Sequence, residues 1–209
     1  MNERYIGLMS GTSLDGVDGV LVEWDGADAS SPHVLSHVHL PFESTLAAEL
    51  LALNASGNDE LHRAALAGNA LARLYADAVA RLLERSGVSA AQVRAIGAHG
   101  QTVRHRPQQF DGSGYTLQLN NPALLAELSG IDVVADLRSR DLAAGGQGAP
   151  LVPAFHRAVF ARPGEALAVL NLGGIANLTL LGADGSVTGF DCGPANALLD
   201  HWVQRHRGD

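Results

Sequence analysis

The stretch that decides the fold opens the chain and reads Tyr5-Ile6-Gly7-Leu8-Met9-Ser10-Gly11-Thr12-Ser13-Leu14-Asp15-Gly16-Val17-Asp18-Gly19-Val20-Leu21-Val22-Glu23-Trp24. Two apolar runs, residues 5–9 and 20–24, flank a turn of glycine, hydroxyl and aspartate residues. Short apolar runs bounded by turn signals are typical of buried strands. The opening therefore predicts two strands joined by a glycine-rich turn.

This first glycine turn is a candidate phosphate-binding loop. The turn places backbone N–H groups and two side-chain hydroxyls close together. The residues that supply them are Gly11, Thr12, Ser13 and Gly16. Small residues let a phosphate chain approach the backbone, where N–H dipoles stabilise it without a lysine. The alternative is a plain hairpin loop in which Asp15 accepts local backbone hydrogen bonds, and the turn alone does not decide between the two.

The chain repeats this plan after the segment Ala161-Arg162-Pro163-Gly164-Glu165. Apolar runs at residues 167–172 and 176–181 flank a second glycine turn, Gly173-Gly174, and a third run and a helix follow at residues 187–190 and 194–207. The repeat predicts a duplicated α/β architecture in which the two glycine turns clamp the phosphates of a nucleotide. We expect a complete first domain over residues 1–162 and the opening of a second over residues 163–209.

Between the two turns, strand and helix patterns alternate. Strands are predicted at residues 34–40, 93–97, 115–119 and 131–135, and helices at residues 43–53, 61–85, 122–130 and 152–160. Asn121 and Pro122 are a helix-start signal, since Asn caps the helix and Pro suits its first position. Gly87 is the expected left-handed residue that ends the long helix.

Composition excludes several classes of function. The 22 acidic and 14 basic residues give a net charge of −8, which disfavours sequence-blind binding of nucleic acid. Every basic residue is an arginine, so there is no lysine for a Walker A loop or a Schiff base. The single cysteine, Cys192, favours a reducing compartment, and no run approaches the ~18 apolar residues of a membrane span. We expect a soluble, cytoplasmic protein with no nucleic-acid or membrane partner.

Two aspartates at predicted strand exits are candidate functional groups. Asp191 precedes Cys192-Gly193-Pro194, which is predicted to open a helix, so it suits a general base or, alternatively, a helix cap. Asp136 follows residues 131–135 and lies close in sequence to Arg138, Arg140 and Asp141. Arginines in this setting suit a ligand carboxylate, and an internal salt-bridge network is the alternative.

The histidines and the cysteine do not predict a metal or thiol site. His37 and His39 share one strand face without a third ligand nearby in sequence, which disfavours a transition-metal site. His99 follows a strand, and we expect a hydrogen-bonded structural histidine there, with a place in the cleft as the alternative. Cys192 has no histidine in its own segment to activate it.

Seven sequence blocks follow one another in a recognisable order. They are Ile6-Gly7-Leu8-Met9-Ser10-Gly11-Thr12-Ser13-Leu14-Asp15-Gly16-Val17-Asp18, Gly97-Ala98-His99-Gly100-Gln101-Thr102, Asn121-Pro122, Val133-Val134-Ala135-Asp136, Gly145-Gly146-Gln147-Gly148-Ala149-Pro150-Leu151-Val152-Pro153, Asn171-Leu172-Gly173-Gly174 and Gly189-Phe190-Asp191-Cys192-Gly193-Pro194. In kind and order the blocks resemble the anhydro-N-acetylmuramic acid kinases. That resemblance implies the superfamily of sugar kinases, actin and heat-shock chaperones, in which two ribonuclease-H-like domains close over ATP.

The resemblance also implies a reaction and roles for residues. A peptidoglycan-recycling kinase would convert 1,6-anhydro-N-acetylmuramic acid, ATP and water into N-acetylmuramic acid 6-phosphate and ADP, with Mg²⁺ neutralising phosphate charge. Asp191 matches the family's general base, which activates the attacking water. The phosphate-binding residues would be Gly11, Thr12, Ser13, Leu14, Asp15, Gly16, Val17, Asp18, Gly173 and Gly174. Asp136, Arg138 and Gln147 are hypothesised sugar contacts, with the arginine binding the lactate carboxylate.

Two departures from the family pattern bear on these expectations. Many members of the superfamily have an aspartate directly before the first glycine turn as a partner for hydrated metal. Leu8-Met9-Ser10 stands there instead, so Asp15 or Asp18 serves or the metal contacts differ. The family's proteins also continue past residue 209, so we expect this chain alone to be incomplete for activity.

Other functions and an association state stay open. A non-catalytic sugar-binding remnant is the second candidate, and an actin-like ATP switch is weaker because the blocks between Gly97 and Pro153 match the kinases. The strands at residues 167–190 are expected to expose an apolar face, which favours self-association, for example as a homodimer.

Overall fold

The computed structural model describes residues 2–24 and 32–208, over which strands and helices alternate. They follow in the order β1 (Glu3–Met9), β2 (Gly16–Trp24), β3 (His33–Pro41), α1 (Ser44–Ala52), α2 (Glu60–Ser86), β4 (Ala95–Ala98), β5 (Gln101–Pro107), β6 (Gly114–Leu119), α3 (Pro122–Ser129), β7 (Val133–Ala135), α4 (Ser139–Ala143), α5 (Pro153–Phe160), β8 (Leu167–Leu172), β9 (Ile175–Leu181), β10 (Val187–Pro194) and α6 (Asn196–Arg207). The predicted mixed α/β fold is confirmed.

A five-stranded mixed sheet carries the first of two compact units, Met1–Gly146. Its strand order is β3-β2-β1-β4-β7, in which β1, β2 and β3 are antiparallel neighbours while β4 runs parallel to β1 and β7. Ile6 and Leu8 are buried on one face, whereas Gly7 and Met9 turn to the other. This alternation explains why the opening stretch forms a strand, since successive side chains point to opposite faces.

The core of this unit lies between the sheet and α2. Leu71, Tyr75 and Leu82 of α2 are fully buried in one cluster with Ile6 and Ile96 of the sheet. Each buried side chain of this size stabilises the fold by about 1.5–3 kcal/mol. The long helix is therefore held by its apolar face, as its leucine and alanine pattern predicts.

Helix ends follow the predicted signals. Gly87 has a φ of 69° directly after α2, as expected for a left-handed cap residue. Asn121 caps α3, because its side-chain oxygen accepts a hydrogen bond from the Leu124 amide, and Pro122 occupies the first turn. Gly130, with a φ of 67°, ends that helix. These local predictions are confirmed.

The second unit, Gln147–Asp209, is built on a three-stranded antiparallel sheet in the order β10-β9-β8. Helix α5 packs against β9 and β10, and the buried His156 of α5 lies 2.9 Å from the Thr179 hydroxyl of β9. Because α5 belongs to this unit, the division falls between Gly146 and Gln147, earlier in the chain than the expected boundary after residue 162.

Three local predictions differ from the structure. Residues 101–107 form a strand, β5, which pairs with β6 although no strand was expected there. The glycine-rich loop after β7 contains the short helix α4. The third strand of the second unit continues to Pro194, and α6 begins only at Asn196. The prediction that Pro194 opens this helix is wrong, because its segment pairs with β9 instead.

The second unit exposes apolar side chains on one sheet face. Leu170, Leu172, Leu180 and Phe190 are 56%, 59%, 41% and 44% exposed. These residues occupy alternate positions on adjacent strands, so they share the face opposite Thr179. The structure thus has the exposed apolar face expected at residues 167–190. Separately, the described helices include none with the length and apolar character that a membrane span needs.

Candidate functional site

Hydrogen bonds to the backbone carbonyl of Gly11 hold the first glycine turn in place. This oxygen accepts hydrogen bonds from the Leu14 amide at 3.3 Å and from the Gln101 side-chain amide at 3.0 Å. Within the described ranges, the amides of Thr12 and Ser13 donate to no other protein group. The turn therefore directs its carbonyl into the protein and leaves two neighbouring N–H groups for another acceptor.

Asp15 and Gly16 complete the turn in different ways. The Asp15 carboxylate accepts a hydrogen bond from the Ser13 hydroxyl at 2.8 Å, and its backbone oxygen accepts one from the Phe42 amide. Gly16 is buried in β2, where a Cβ would lie only 2.3 Å from the Leu40 carbonyl oxygen. Gly16 and the next two candidates, Val17 and Asp18, thus belong to β2 rather than to the turn.

A buried hydroxyl pair supports the turn at the end of β1. The Ser10 hydroxyl lies 3.1 Å from the Tyr75 hydroxyl and donates to the Gly100 carbonyl at 3.2 Å. Burial raises the pKa of Tyr75 to about 12, so the phenol stays protonated and able to donate. Gly100 has a φ of 78°, and a Cβ there would lie 2.6 Å from the Leu119 carbonyl. Sequence reasoning did not single out Ser10 or Tyr75, because their contact spans distant parts of the chain.

Asp18 lies between two of the histidines of β3, His37 and His39. Its carboxylate oxygen is 3.2 Å from Nδ1 of His39 and 3.4 Å from Nε2 of His37. The pairing of β2 with β3 therefore supplies the third polar group that was absent from the local sequence. Nevertheless, across residues 2–24 and 32–208, no three His, Cys, Asp or Glu side chains gather to hold a metal ion.

Arg138 is held by His99. The guanidinium Nε donates to Nε2 of His99 at 2.9 Å, while Nδ1 of the same imidazole lies 2.6 Å from the Gly100 carbonyl. Burial, together with the adjacent Arg138 charge, lowers the pKa of His99, and the bond to Gly100 opposes that shift. Asp136 is exposed with a φ of 56°, two residues before Arg138. The structural histidine expected at position 99 is thus a direct partner of a candidate binding residue.

Asp191 stands in a polar row that crosses the second sheet. It lies opposite Asn177 of β9, which in turn lies opposite Asn171 of β8. Directly opposed residues of antiparallel strands project to the same face, so the three side chains are neighbours. Asp191 is exposed, and a bulge between it and Gly193 interrupts the ladder. Because Asp191 lies inside a strand and α6 begins later, the helix-cap alternative is wrong.

Asn177 contains an unpaired polar atom beside Asp191. Its side-chain oxygen is buried and accepts no hydrogen bond from the part of the chain that the structure describes. A buried acceptor without a donor destabilises the fold by about 1–3 kcal/mol. Because the oxygen has almost no accessible surface, the Asn177 side chain would have to rotate for it to accept a hydrogen bond from a water or hydroxyl beside Asp191.

The second glycine turn adjoins the start of α6. The carbonyl oxygens of Gly173 and Gly174 accept hydrogen bonds from the Asn196 and Ala195 amides at 3.0 and 2.9 Å. Over the described residues, the two glycine amides donate to no protein group. As in the first turn, carbonyls are engaged and amides are available. Gln147, the remaining candidate, is exposed at the first position of this unit.

Comparison with known proteins identifies the family. A family model described as anhydro-N-acetylmuramic acid kinase matches residues 3–209. The chain belongs to the anhydro-N-acetylmuramic acid kinase family. Relatives that carry this name include one from Variovorax paradoxus, 66% identical over 99% of this chain and 56% of its own length, and one from Bordetella petrii, 67% identical over 98% and 52%. The chain thus spans about half the length of these curated relatives.

One of the matching solved structures shows only a weak similarity. A reductive activator for a corrinoid, iron-sulfur protein matches 92% of this chain and 32% of its own, with a TM-score of 0.49 and 15% identity. This score is too low to support an argument about fold or function.

Proposed function

We propose that this chain supplies the phosphate loops and the general base of an ATP-dependent kinase that opens 1,6-anhydro-N-acetylmuramic acid and phosphorylates its 6-oxygen. Family membership supports the kinase, and the exposed Asp191 beside the unpaired Asn177 oxygen carries the assignment of the base. The products are N-acetylmuramic acid 6-phosphate and ADP. Because ATP and the sugar acceptor are cell metabolites, the proposal includes a cytoplasmic setting.

Asp191 acts on water in this proposal. Its carboxylate removes a proton from a water molecule, whose oxygen forms a bond to the anomeric carbon while the bond from that carbon to the bridging 6-oxygen breaks. The freed 6-oxygen then attacks the γ-phosphorus, and ADP leaves. A rotation of the Asn177 side chain brings its oxygen to the same water, whose second O–H then donates a hydrogen bond to it and is fixed in orientation. A base and an orienting acceptor are the positioning that such a step requires.

Each glycine turn is suited to bind phosphate. In each turn the carbonyls are engaged by the protein and the amides are available, at Thr12 and Ser13 in the first and at Gly173 and Gly174 in the second. Backbone amides directed at an anion stabilise it where no lysine exists. Leu14 and Asp15 shape the first turn, and Gly16 joins it to β2 without the clash that a side chain would cause.

Magnesium fits this site as a companion of the nucleotide. Mg²⁺ is usually bound through one or two carboxylates together with phosphate oxygens and water. The described residues offer Asp15 and Asp18 near the first turn and no three-residue cage, which agrees with that mode. When bound, the ion would neutralise phosphate charge during transfer.

Arg138 binds the lactate carboxylate of the sugar, with Asp136 and Gln147 as further sugar contacts. A guanidinium held in one orientation by His99 is suited to a planar carboxylate, which it grips through two parallel hydrogen bonds. All three side chains are at least partly exposed, so a ligand can reach them.

The architecture is proposed to be a duplicated ribonuclease-H-like fold. The first unit supports this with three antiparallel strands followed by two parallel ones in the order β3-β2-β1-β4-β7. The second unit supports it with three antiparallel strands and a helix, which match the beginning of the first. The first compact unit ends at Gly146, and the second begins at Gln147.

The experiment that tests the function compares two lengths of protein. One is the 209-residue chain, and the other is the same chain continued by the part of the Variovorax paradoxus relative that follows its match. The longer protein is expected to form the 6-phosphate from ATP and the anhydro-sugar, and its Asp191→Asn variant to lose at least about a hundredfold in kcat. If the Asp191→Asn variant keeps wild-type activity and an unchanged unfolding midpoint, Asp191 is not the general base.

A sugar-binding protein without phosphoryl transfer is the second candidate. It is favoured by one observation, that both members of the His99–Arg138 pair lie within the first unit. This candidate predicts that the longer protein binds the anhydro-sugar but releases no ADP. Turnover of ATP coupled to ring opening would exclude it.

A further inference from the structure

The hydrogen bonds of His99 define the protonation state of its ring. An arginine side chain carries donors only, so Nε2 of His99 must accept the bond from Arg138. The ring proton then resides on Nδ1, which donates to the Gly100 carbonyl at 2.6 Å. Only the neutral imidazole satisfies both contacts, because an imidazolium would direct an N–H at the guanidinium.

We infer that His99 is a positioning residue for Arg138: as a neutral imidazole it fixes the guanidinium for a carboxylate ligand, and when protonated it releases it. The inference rests on the proposed role of Arg138 in binding the lactate carboxylate. With Nε bound to His99, the guanidinium plane and its terminal nitrogens are set in one direction, which is the arrangement that a bidentate carboxylate contact requires.

His99 also joins the carboxylate-binding residue to the first glycine turn. The Gly100 carbonyl that accepts its Nδ1 proton accepts a second hydrogen bond from Ser10, at the base of the turn. The next residue, Gln101, donates to the Gly11 carbonyl inside the turn. Movement of the imidazole would therefore disturb the phosphate-binding turn as well as Arg138, so both ligand sites depend on the same three-residue segment.

The groups that face His99 determine how it titrates. Burial lowers the pKa of His99, and the Arg138 charge at one side of the ring acts in the same direction. On the open side, a cavity of about 310 Å³ is lined by His99, Leu137, Asp18 and His37. Asp18 contacts His37 and His39, while the Gly100 carbonyl favours the charged ring. Release of Arg138 is therefore expected below pH 6.5.

The test measures binding of N-acetylmuramic acid to the 209-residue chain by calorimetry between pH 8 and pH 5, with N-acetylglucosamine as the ligand that lacks the carboxylate. Wild type is expected to lose affinity on the order of tenfold at one pH unit below the pKa of His99, because the competent fraction falls in that proportion. His99→Gln keeps an acceptor for Arg138 that cannot be protonated, so its affinity stays level with pH. The His99→Leu variant is expected to bind N-acetylmuramic acid weakly at every pH.

Two controls make the result specific. His62→Gln removes an exposed histidine of α2 and is expected to leave the wild-type pH profile unchanged. Unfolding midpoints of all variants establish that they fold. Equal pH dependence in wild type and His99→Gln would overturn the inference.

Failure of the proposed function is recognised separately. If wild type binds no N-acetylmuramic acid at pH 8, the sugar assignment of Arg138 fails. Nitrogen NMR of the ligand-free chain then decides the role of His99. The inference requires a neutral ring with its proton on Nδ1 at pH 7.5, and an Arg138 Nε–H signal that disappears as His99 titrates. A ring protonated on Nε2, or an arginine signal indifferent to that titration, would contradict it.

Discussion

Replacing Asn177 by leucine is expected to stabilise the fold and to impair the reaction. The Asn177 side-chain oxygen is buried without a donor, at a cost of about 1–3 kcal/mol. Leucine has nearly the same size and no polar atom, so Asn177→Leu removes that cost. After allowance for imperfect packing, the free energy of unfolding should rise by about 1 kcal/mol. For a unit of this size, such a gain raises Tm by about 4–8 °C.

The assay follows the second unit alone. The chain has two tryptophans, one in each unit, so a Trp24→Phe background leaves Trp202 of α6 as the reporter. Urea unfolding is monitored by its fluorescence. Thr179→Val is the matched control, because Thr179 lies on the same strand and face and is the hydrogen-bond partner of His156. That change leaves a buried ring nitrogen unpaired, and it should lower the free energy of unfolding by about 1–3 kcal/mol.

The same variants separate structural from functional roles. In the longer protein, Asn177→Leu should reduce kcat with little change in KM for ATP, since it removes a contact to the attacking water. A loss of stability in Asn177→Leu as large as that in Thr179→Val would show that the Asn177 oxygen has a hydrogen-bond partner in the free protein.

Three other outcomes are expected. Gly16→Ala should destabilise the first unit by about 3 kcal/mol, because its Cβ would clash with the Leu40 carbonyl. Gly87→Ala has open space around it and should destabilise the unit by about 1–2 kcal/mol. Urea titration measures both losses, and equal losses would contradict the clash at Gly16. The free energy of unfolding should fall as the pH drops below 6.5. Burial lowers the pKa of His99 and His156 in the folded state, so the unfolded chain binds more protons than the folded chain in that range. A urea unfolding midpoint that stays constant between pH 7.5 and 5 would count against this. The exposed Leu172 and its apolar neighbours should make the 209-residue chain self-associate, which analytical sedimentation would detect. Leu172→Gln should weaken this association. A chain that stays monomeric at every concentration would contradict the prediction.

Local signals predicted most of the elements. The opening strands, the α2 stop at Gly87 and the Asn121 cap were all predictable, because each depends on residues within a few positions. Strand β5 was not predictable, because its exposed side is charged and its buried side includes the polar residue Gln101. The Gln101 side-chain amide is buried because it donates a hydrogen bond to the Gly11 carbonyl, and a local sequence pattern does not show that contact. Pro194 gave a false helix signal, as strand pairing with β9 overrides its local preference.

The candidate site was predictable in its residue types but not in its partners. Glycine turns, a carboxylate at a strand and an arginine in a loop are visible in the sequence. The pairing of His99 with Arg138, and of Ser10 with Tyr75, depends on how β1, β4 and α2 come together, and no local pattern encodes it. The same holds for the row of Asn171, Asn177 and Asp191, which only the register of the second sheet defines.

If Asp191 directs water to the anomeric carbon, the reaction of the longer protein in ¹⁸O-labelled water places the label on that carbon. Mass spectrometry of the product, quenched before its anomeric oxygen can exchange, locates the label. The expected result is one ¹⁸O on the anomeric carbon and none in the phosphoryl group. Label in the phosphoryl group, or an unlabelled sugar, would contradict it.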